Sequence, residues 1–356
     1  MKKSWVLIKK TSPDTAIDDC ALMVKKLWVK KRRPVVLKLN LSWTKVYPAC
    51  SSPPWQLEGA IKALLDLGYS KKEIIPVENR TVVTNVKRGV KNHGWDKVCK
   101  KYGIKFHYLT EEKYIRYQPK AGMLAMNKIF TQGILLPKIL LNKDLISLCT
   151  LKTHVFTQNT GAIKNYFGML NTKRHHAHRF IHETIIDLLS IQKETHPQIL
   201  ALMDGSVVGF GSGPRAMEWK EANLILGSQD QVALDSVAAK IIGLNPLGIK
   251  YLQLGKKLEL GENDPAKIKI LGIKKLPKFK FKKTDNFASL GQRFIYHKLP
   301  WSLEKLLLQS FIVPWSYLAS RLYYDYYWYR RFGQRRAKRY FASSWGKLFL
   351  DYLKKD

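Results

Sequence analysis

Short apolar runs alternate with segments of helical periodicity from Trp5 to Leu271, and this alternation restricts the fold more than any single motif. A chain written this way builds an α/β sheet with helical crossovers. "WVLIKK" opens the series, and "RPVVLKLNLS" supplies a second strand ending in polar Asn40 and Ser42. "SSPPWQLEGAIKALLDLGYS" then places serines and prolines at a helix start, Leu57, Ile61, Leu64 and Leu65 on one face, and Gly68 as the stop. "EIIPVEN" completes this βαβ unit near Glu78. "LISLCTLK" and "QILALMDG" read as two further strands, the second ending at Asp204 and Gly205. "QVALDSVAAKIIG" is an amphipathic helix closed by Gly243, and "KIKILG" a late strand. The predicted fold class is α/β, with a mixed or mostly parallel sheet and flanking helices.

The pattern changes after about Lys274, which divides the chain into a core over 1–273 and an extension over 274–356. "KKLPKFKFKK" is a basic linker; beyond it an uncharged run from Leu306 to Ser320 is interrupted by Pro314 and followed by "RLYYDYYWYRRFGQRR". This helical, aromatic and basic extension has two equal readings. It is either an in-plane or re-entrant segment on an anionic membrane surface, or a helical cap packed on the core. Stacking of single-stranded nucleic acid on its aromatic rings ranks third, because no recognised RNA-binding motif supports it.

Charge narrows the partners. Lys and Arg number 62 against 27 Asp and Glu, a formal net charge of +35. Such a surplus implies a polyanionic or anionic partner: an anionic small molecule, an anionic membrane surface met through 300–356, or nucleic acid. A hydrophobic fraction of 46% excludes a disordered chain. Cys20, Cys50, Cys99 and Cys149 lie too far apart for a zinc knuckle or a ferredoxin-type run, so no iron–sulfur cluster is expected and the cofactor stays unknown. They form no disulfide framework either, and the natural reading is a reducing compartment. The apolar run at the start, Trp5 to Ile8, is too short for a signal-peptide core, and no stretch reaches about 18 apolar residues. The expected location is the cytoplasm, with peripheral contact at the inner membrane surface.

The chemistry concentrates in "LKTHVFTQNTGAIKNYFG". Thr160 is predicted to cap a helix whose start at Gly161 and Ala162 leaves backbone N–H groups open, with Lys164 and Asn165 in its first turn. Open N–H groups, the positive end of a helix and a lysine make an anion site. Lys152 and His154 stand at the preceding strand end, where the histidine could serve as a base or a metal ligand or be a solvated loop residue. His175, His176, His178 and His182 follow; His178 and His182 at a spacing of four would share a helical face, as metal ligands do. Lys173, Arg174 and Arg179 crowd the same segment and favour an anion over a cation. In "MDGSVVGFGSGPR", Asp204 is placed at a strand end and Gly209, Gly211 and Gly213 in a flexible loop. Asp235 either faces the pocket or is an exposed polar position.

These motifs resemble, in order and spacing over roughly Lys38 to Leu271, the family known as domain of unknown function 362. The matching stretches are "KLNLS", "LKTHVFTQNTGAIKNYFG", "LMDGSVVGFGSGP" and "ILGSQDQVALDSVAAKIIGL". Many members of that family look like iron–sulfur proteins through appended ferredoxin-type cysteines, which this chain lacks; where the family usually shows Lys-Pro-Asn, it has Lys38, Leu39 and Asn40. The resemblance carries across Lys38, Asn40, Lys152, His154, Thr160, Gly161, Lys164, Asn165, Asp204, Gly205 and Asp235. The leading expectation from the residues is an anion- or metal-binding pocket that could belong to an enzyme acting on an anionic metabolite, membrane-associated if the tail meets a membrane; the family, largely uncharacterised, adds no reaction. Lys152, Lys164 and the glycine turn would hold the anion, and His154 with Asp204 would transfer a proton or hold a metal, whose identity stays unknown. The alternative is a non-catalytic membrane-associated or redox-accessory protein, and the third reading is a nucleic-acid-binding protein.

Overall fold

The computed structural model describes residues 4–29, 33–81, 83–281, 287–310 and 314–354. Its strands β1 (Trp5–Lys10), β2 (Val35–Lys38) and β3 (Ile74–Glu78) follow the predicted runs, whereas β4 (His107–Tyr108) and a side hairpin of β5 (Tyr114–Tyr117) and β6 (Ile134–Pro137) lie outside them. After it come β7 (Asp144–His154), the short β8 (Gln158–Asn159), β9 (Ile199–Ser212), β10 (Ala216–Ser228) and β11 (Lys269–Leu271). A loop over residues 39–53 separates β2 from the helix Pro54–Asp66, which starts on a proline as its sequence predicted.

The main sheet has the order β11-β1-β10-β9-β7-β2-β3-β4, with β8 attached to β7. Neighbours in the block from β9 to β4 are parallel, and β10 runs against both of its neighbours. The sheet is therefore mixed and mostly parallel. Helices cover both faces, as parallel strands buried on two sides require. Ala16–Leu27, Pro54–Asp66 and Trp95–Tyr102 pack on one face through Cys20, Leu57, Ile61, Trp95 and their neighbours. Ile181–Thr195, Gln231–Ile241 and Lys250–Lys257 pack on the other.

The last helices of the extension lie on the core. Trp345, Phe349 and Tyr352 join the first face, with Trp345 and Trp55 ring centroids 5.2 Å apart and the Trp345 indole donating to Asn223 Oδ1 at 2.7 Å. Tyr324 and Trp328 pack with Trp43 and Tyr47 in a separate aromatic cluster. Leu322–Gly333 is a π-helix, a rare winding that recurs at functional sites. Among the described residues no helix is long and apolar enough to cross a membrane.

Two local expectations give way to a different geometry. β9 does not end at Asp204 but runs on to Ser212, paired with β10 along its length, so Gly209 and Gly211 are strand residues and only Gly213 reaches the turn. Glycine suits Gly209 because a Cβ there would sit 2.7 Å from Met217 Sδ, too close for the pair of strands. His178 and His182 share no helical face: His178 lies in the 3-10 segment Thr172–Phe180, and the α-helix starts at Ile181.

Candidate anion-binding site

Strand order places the site before any side chain is considered. From β2 the chain crosses to β3 on one side, and from β7 it crosses to β9 on the other, so the crevice beyond the carboxyl ends of β2 and β7 is a topological switch point. A cavity of about 500 Å³ lies there, a size suited to a small ligand. Its floor comes from the strand ends and the segments after them: Lys38, Asn40, Glu78, His154, Lys164 and Arg174. Arg215 reaches it from the β9–β10 turn. Its roof is the extension, through Tyr296, Leu308, Trp315, Tyr317, Tyr323 and Tyr324.

The floor carries four cations, Lys38, Lys164, Arg174 and Arg215, against one carboxylate, Glu78. Their positions differ in what already satisfies them. Lys38 is buried and paired with Glu78 at 2.8 and 3.0 Å; burial lowers its pKa against the pull of that carboxylate. Arg174 is buried and donates to the carbonyls of Gly168, Leu170 and Arg80. Lys164 is half-buried and has no ion pair or hydrogen bond at its ammonium among the described residues; its one described contact is the Phe167 ring, 5.6 Å from centroid to Nζ. Burial, then the charges of Lys152 and Arg174, bring its pKa down to about 7. Arg215 is 8% exposed, stacks on Tyr324 at 3.9 Å and donates through one terminal nitrogen to Ser320 Oγ at 3.0 Å. Its other terminal nitrogen is buried without a partner among the described residues. A buried guanidinium nitrogen left unpaired is costly, and an incoming oxygen would relieve it.

His154 is held as a donor. Its Nδ1 accepts from the backbone N–H of Phe156 at 3.1 Å and of Thr157 at 3.4 Å, which leaves the proton of the neutral ring on Nε2. Burial, then the charge of Lys164, pushes its pKa well down, so the ring stays neutral. Lys152 stands behind the wall rather than in it. Fully buried, it donates to Asn40 Oδ1 at 2.6 Å, Ser42 Oγ at 3.1 Å and the Cys50 carbonyl, and burial lowers its pKa to about 8. Asn40 passes the constraint on by donating to Asn165 Oδ1 at 3.2 Å, and Asn165 Nδ2 lies within reach of the Lys38 and Leu148 carbonyls and Ser147 Oγ. This network ties the ends of β2 and β7 together and fixes the floor.

The structure thus brings Lys38, Asn40, His154, Lys164 and Asn165 to one cavity and sets Lys152 directly behind them. It does not bring Asp204, Gly205, Thr160, Gly161 or Asp235 there. Asp204 sits inside β9, accepting from the Trp55 indole at 3.2 Å and Ser206 Oγ at 3.0 Å, and burial raises its carboxyl to about 7. Gly205 pairs with Leu224 in mid-sheet. The Gly161 turn is filled from within: Asp235 accepts the N–H of Ala162 at 2.6 Å and of Ile163 at 3.1 Å, so the donors expected to be open are taken by the chain's own carboxylate. Thr160 contributes no cap, since its hydroxyl turns back to the Thr153 carbonyl at 3.3 Å. The helix after this turn is a 3-10 segment, Ile163–Met169, which directs Lys164 and Asn165 toward the floor.

Among the described residues no three His, Cys, Asp or Glu side chains converge on a possible metal position. His178 packs against Phe156, Phe167 and Tyr296, and His182 stacks on Tyr251; the side chains of Lys173 and His175 lie outside the described residues. Arg215 and the roof are the parts that motif reading missed. The one signal for Arg215 was a basic residue directly after Gly213 and Pro214 in a turn between strands.

A model of the family described as a domain of unknown function matches residues 35–240, which contain every floor residue named above. No curated protein and no solved structure matches the chain.

Proposed function

We propose that this chain, which belongs to the domain of unknown function 362 family, binds an anionic metabolite in the cavity beyond β2, β3 and β7 and exchanges a proton with it through Lys164. The observation that carries the reading is the pair Lys164 and Arg215, both lining one cavity with no carboxylate paired to them among the described residues. Elsewhere in the floor the cations are already satisfied, by Glu78 for Lys38 and by carbonyls for Arg174. Arg215 would take the anion through its unpartnered nitrogen, and His154 Nε2–H would donate a neutral hydrogen bond. Lys164, with a pKa of about 7, is populated as both ammonium and amine near neutrality and so suits either direction of proton transfer.

The pH dependence tests this directly. Sulfate keeps its charge between pH 6 and 8, so any change in its affinity over that range belongs to the protein. Lys164 attracts an anion only when protonated, below about pH 7. Sulfate measured by titration calorimetry is therefore expected to bind about ten-fold more weakly at pH 8 than at pH 6. A flat profile, or one rising with pH, would remove Lys164 from the site.

A further inference from the structure

The roof of the cavity is as distinctive as its floor. Tyr296, Leu308, Trp315, Tyr317 and Tyr323 line the same cavity as the cations with apolar and aromatic side chains, a lining that suits a ligand with an apolar part as well as a charge. The same segment continues outward. Among the described residues sixteen large apolar or aromatic side chains are exposed, and twelve of them lie between Phe287 and Phe332. Phe287 and Trp315 belong to both sets: they line the cavity and are 82% and 42% exposed. At these two residues the cavity wall and the exposed apolar segment share side chains. Such a concentration of exposed apolar side chains in one segment marks an interaction surface. Its chemistry is that of a bilayer interface, because exposed aromatics alternate with basic Lys298, Lys305, Arg321, Arg330 and Arg331. The helix that carries part of this face is fixed to the floor segment, since buried Glu304 pairs with Arg179.

We infer that the cavity takes an anionic amphiphile from a membrane leaflet, its charged headgroup on Lys164 and Arg215, its apolar chain under the aromatic roof, while the 287–332 face rests in an anionic headgroup layer. The inference deepens the anion reading above and rests on it. It assigns the extension two tasks at once: peripheral attachment to the membrane and cover for the apolar part of the ligand.

The test uses the full chain and two probes, inorganic phosphate and a long-chain alkyl phosphate kept below its micellar concentration. Burial of several methylene groups under the roof should make the alkyl phosphate bind on the order of a hundred-fold more tightly. Equal affinities would overturn the amphiphile inference and leave the anion reading standing; no binding of either probe would overturn both. In parallel, flotation with phosphatidylcholine vesicles containing about a third phosphatidylglycerol reads the exposed face. Phe294→Ser with Leu318→Ser alters exposed side chains outside the cavity lining, so the protein stays folded and should lose about ten-fold in vesicle partitioning. Unchanged partitioning of that variant, or flotation abolished only by added RNA, would overturn the membrane assignment.

Discussion

Replacing Lys164 by Met is expected to weaken sulfate binding on the order of a hundred-fold at pH 6, and to make the empty protein more stable. The first effect follows from losing a charge-assisted contact in a partly desolvated cavity, worth about 3 kcal/mol. The second has the opposite sign for the same reason. Lys164 has its pKa lowered from 10.5 to about 7, so its charged form is disfavoured by the fold. That penalty is fully present below about pH 7 and fades as pH rises toward 10.5, where the unfolded chain also loses the proton. Urea denaturation at pH 6 should show the variant more stable by roughly 2 kcal/mol, with the difference shrinking toward pH 10. A lysine kept only for packing would show the reverse, a loss of stability with no loss of sulfate. Arg215→Met should also lose sulfate, but with reduced stability, because its guanidinium stacks on Tyr324 and bonds Ser320 in the roof.

Gly161→Ala is expected to destabilise the protein by about 4 kcal/mol, although Gly161 touches no ligand in this account. Gly161 has φ +58°, and a Cβ there would stand 2.2 Å from the Asp235 carboxylate. Alanine would add left-handed strain and push the carboxylate off the N–H groups of Ala162 and Ile163. The displaced Asp235 is fully buried, so it could not recover those bonds from water. Gly161→Asn separates the two causes, since asparagine tolerates positive φ better than alanine does. An Asn variant as unstable as the Ala variant assigns the effect to the Asp235 contact. Full recovery by Asn, read from urea midpoints, would assign it to φ alone.

The same turn shows where sequence reasoning reaches and where it stops. "TGAIKN" marked a place where backbone donors meet an acceptor, and they do; the acceptor is the carboxyl of Asp235, 73 residues away from Ala162. Proximity across the fold, rather than local chemistry, decided the role. Lys38, Asn40 and His154 were legible because parallel strands direct their carboxyl ends to one edge, and the order of apolar runs already located those ends; Lys164 was legible from the turn motif that follows β7. Asp204 was misplaced because "MDG" imitates a strand end, whereas β9 continues opposite β10 through glycines that give Met217 room. Arg215 carried almost no local signal. Its importance lies in contacts with Ser320 and Tyr324, more than a hundred residues further on, which no periodicity encodes. The extension was readable as aromatic, basic and helical, and its last helices pack on the core as the cap alternative expects. Trp345, Phe349 and Tyr352 pack into the core, while Phe287, Leu318 and their neighbours stay exposed.

The central claim is that Lys164 and Arg215 receive one anion in the cavity beyond β2 and β7. The most direct measurement is anomalous diffraction from crystals of the full chain grown with selenate, whose selenium marks its own position. The account predicts one strong anomalous peak within hydrogen-bond distance of Lys164 Nζ and the unpartnered terminal nitrogen of Arg215. A cavity without a peak, in crystals where selenate occupies surface lysines instead, would contradict it.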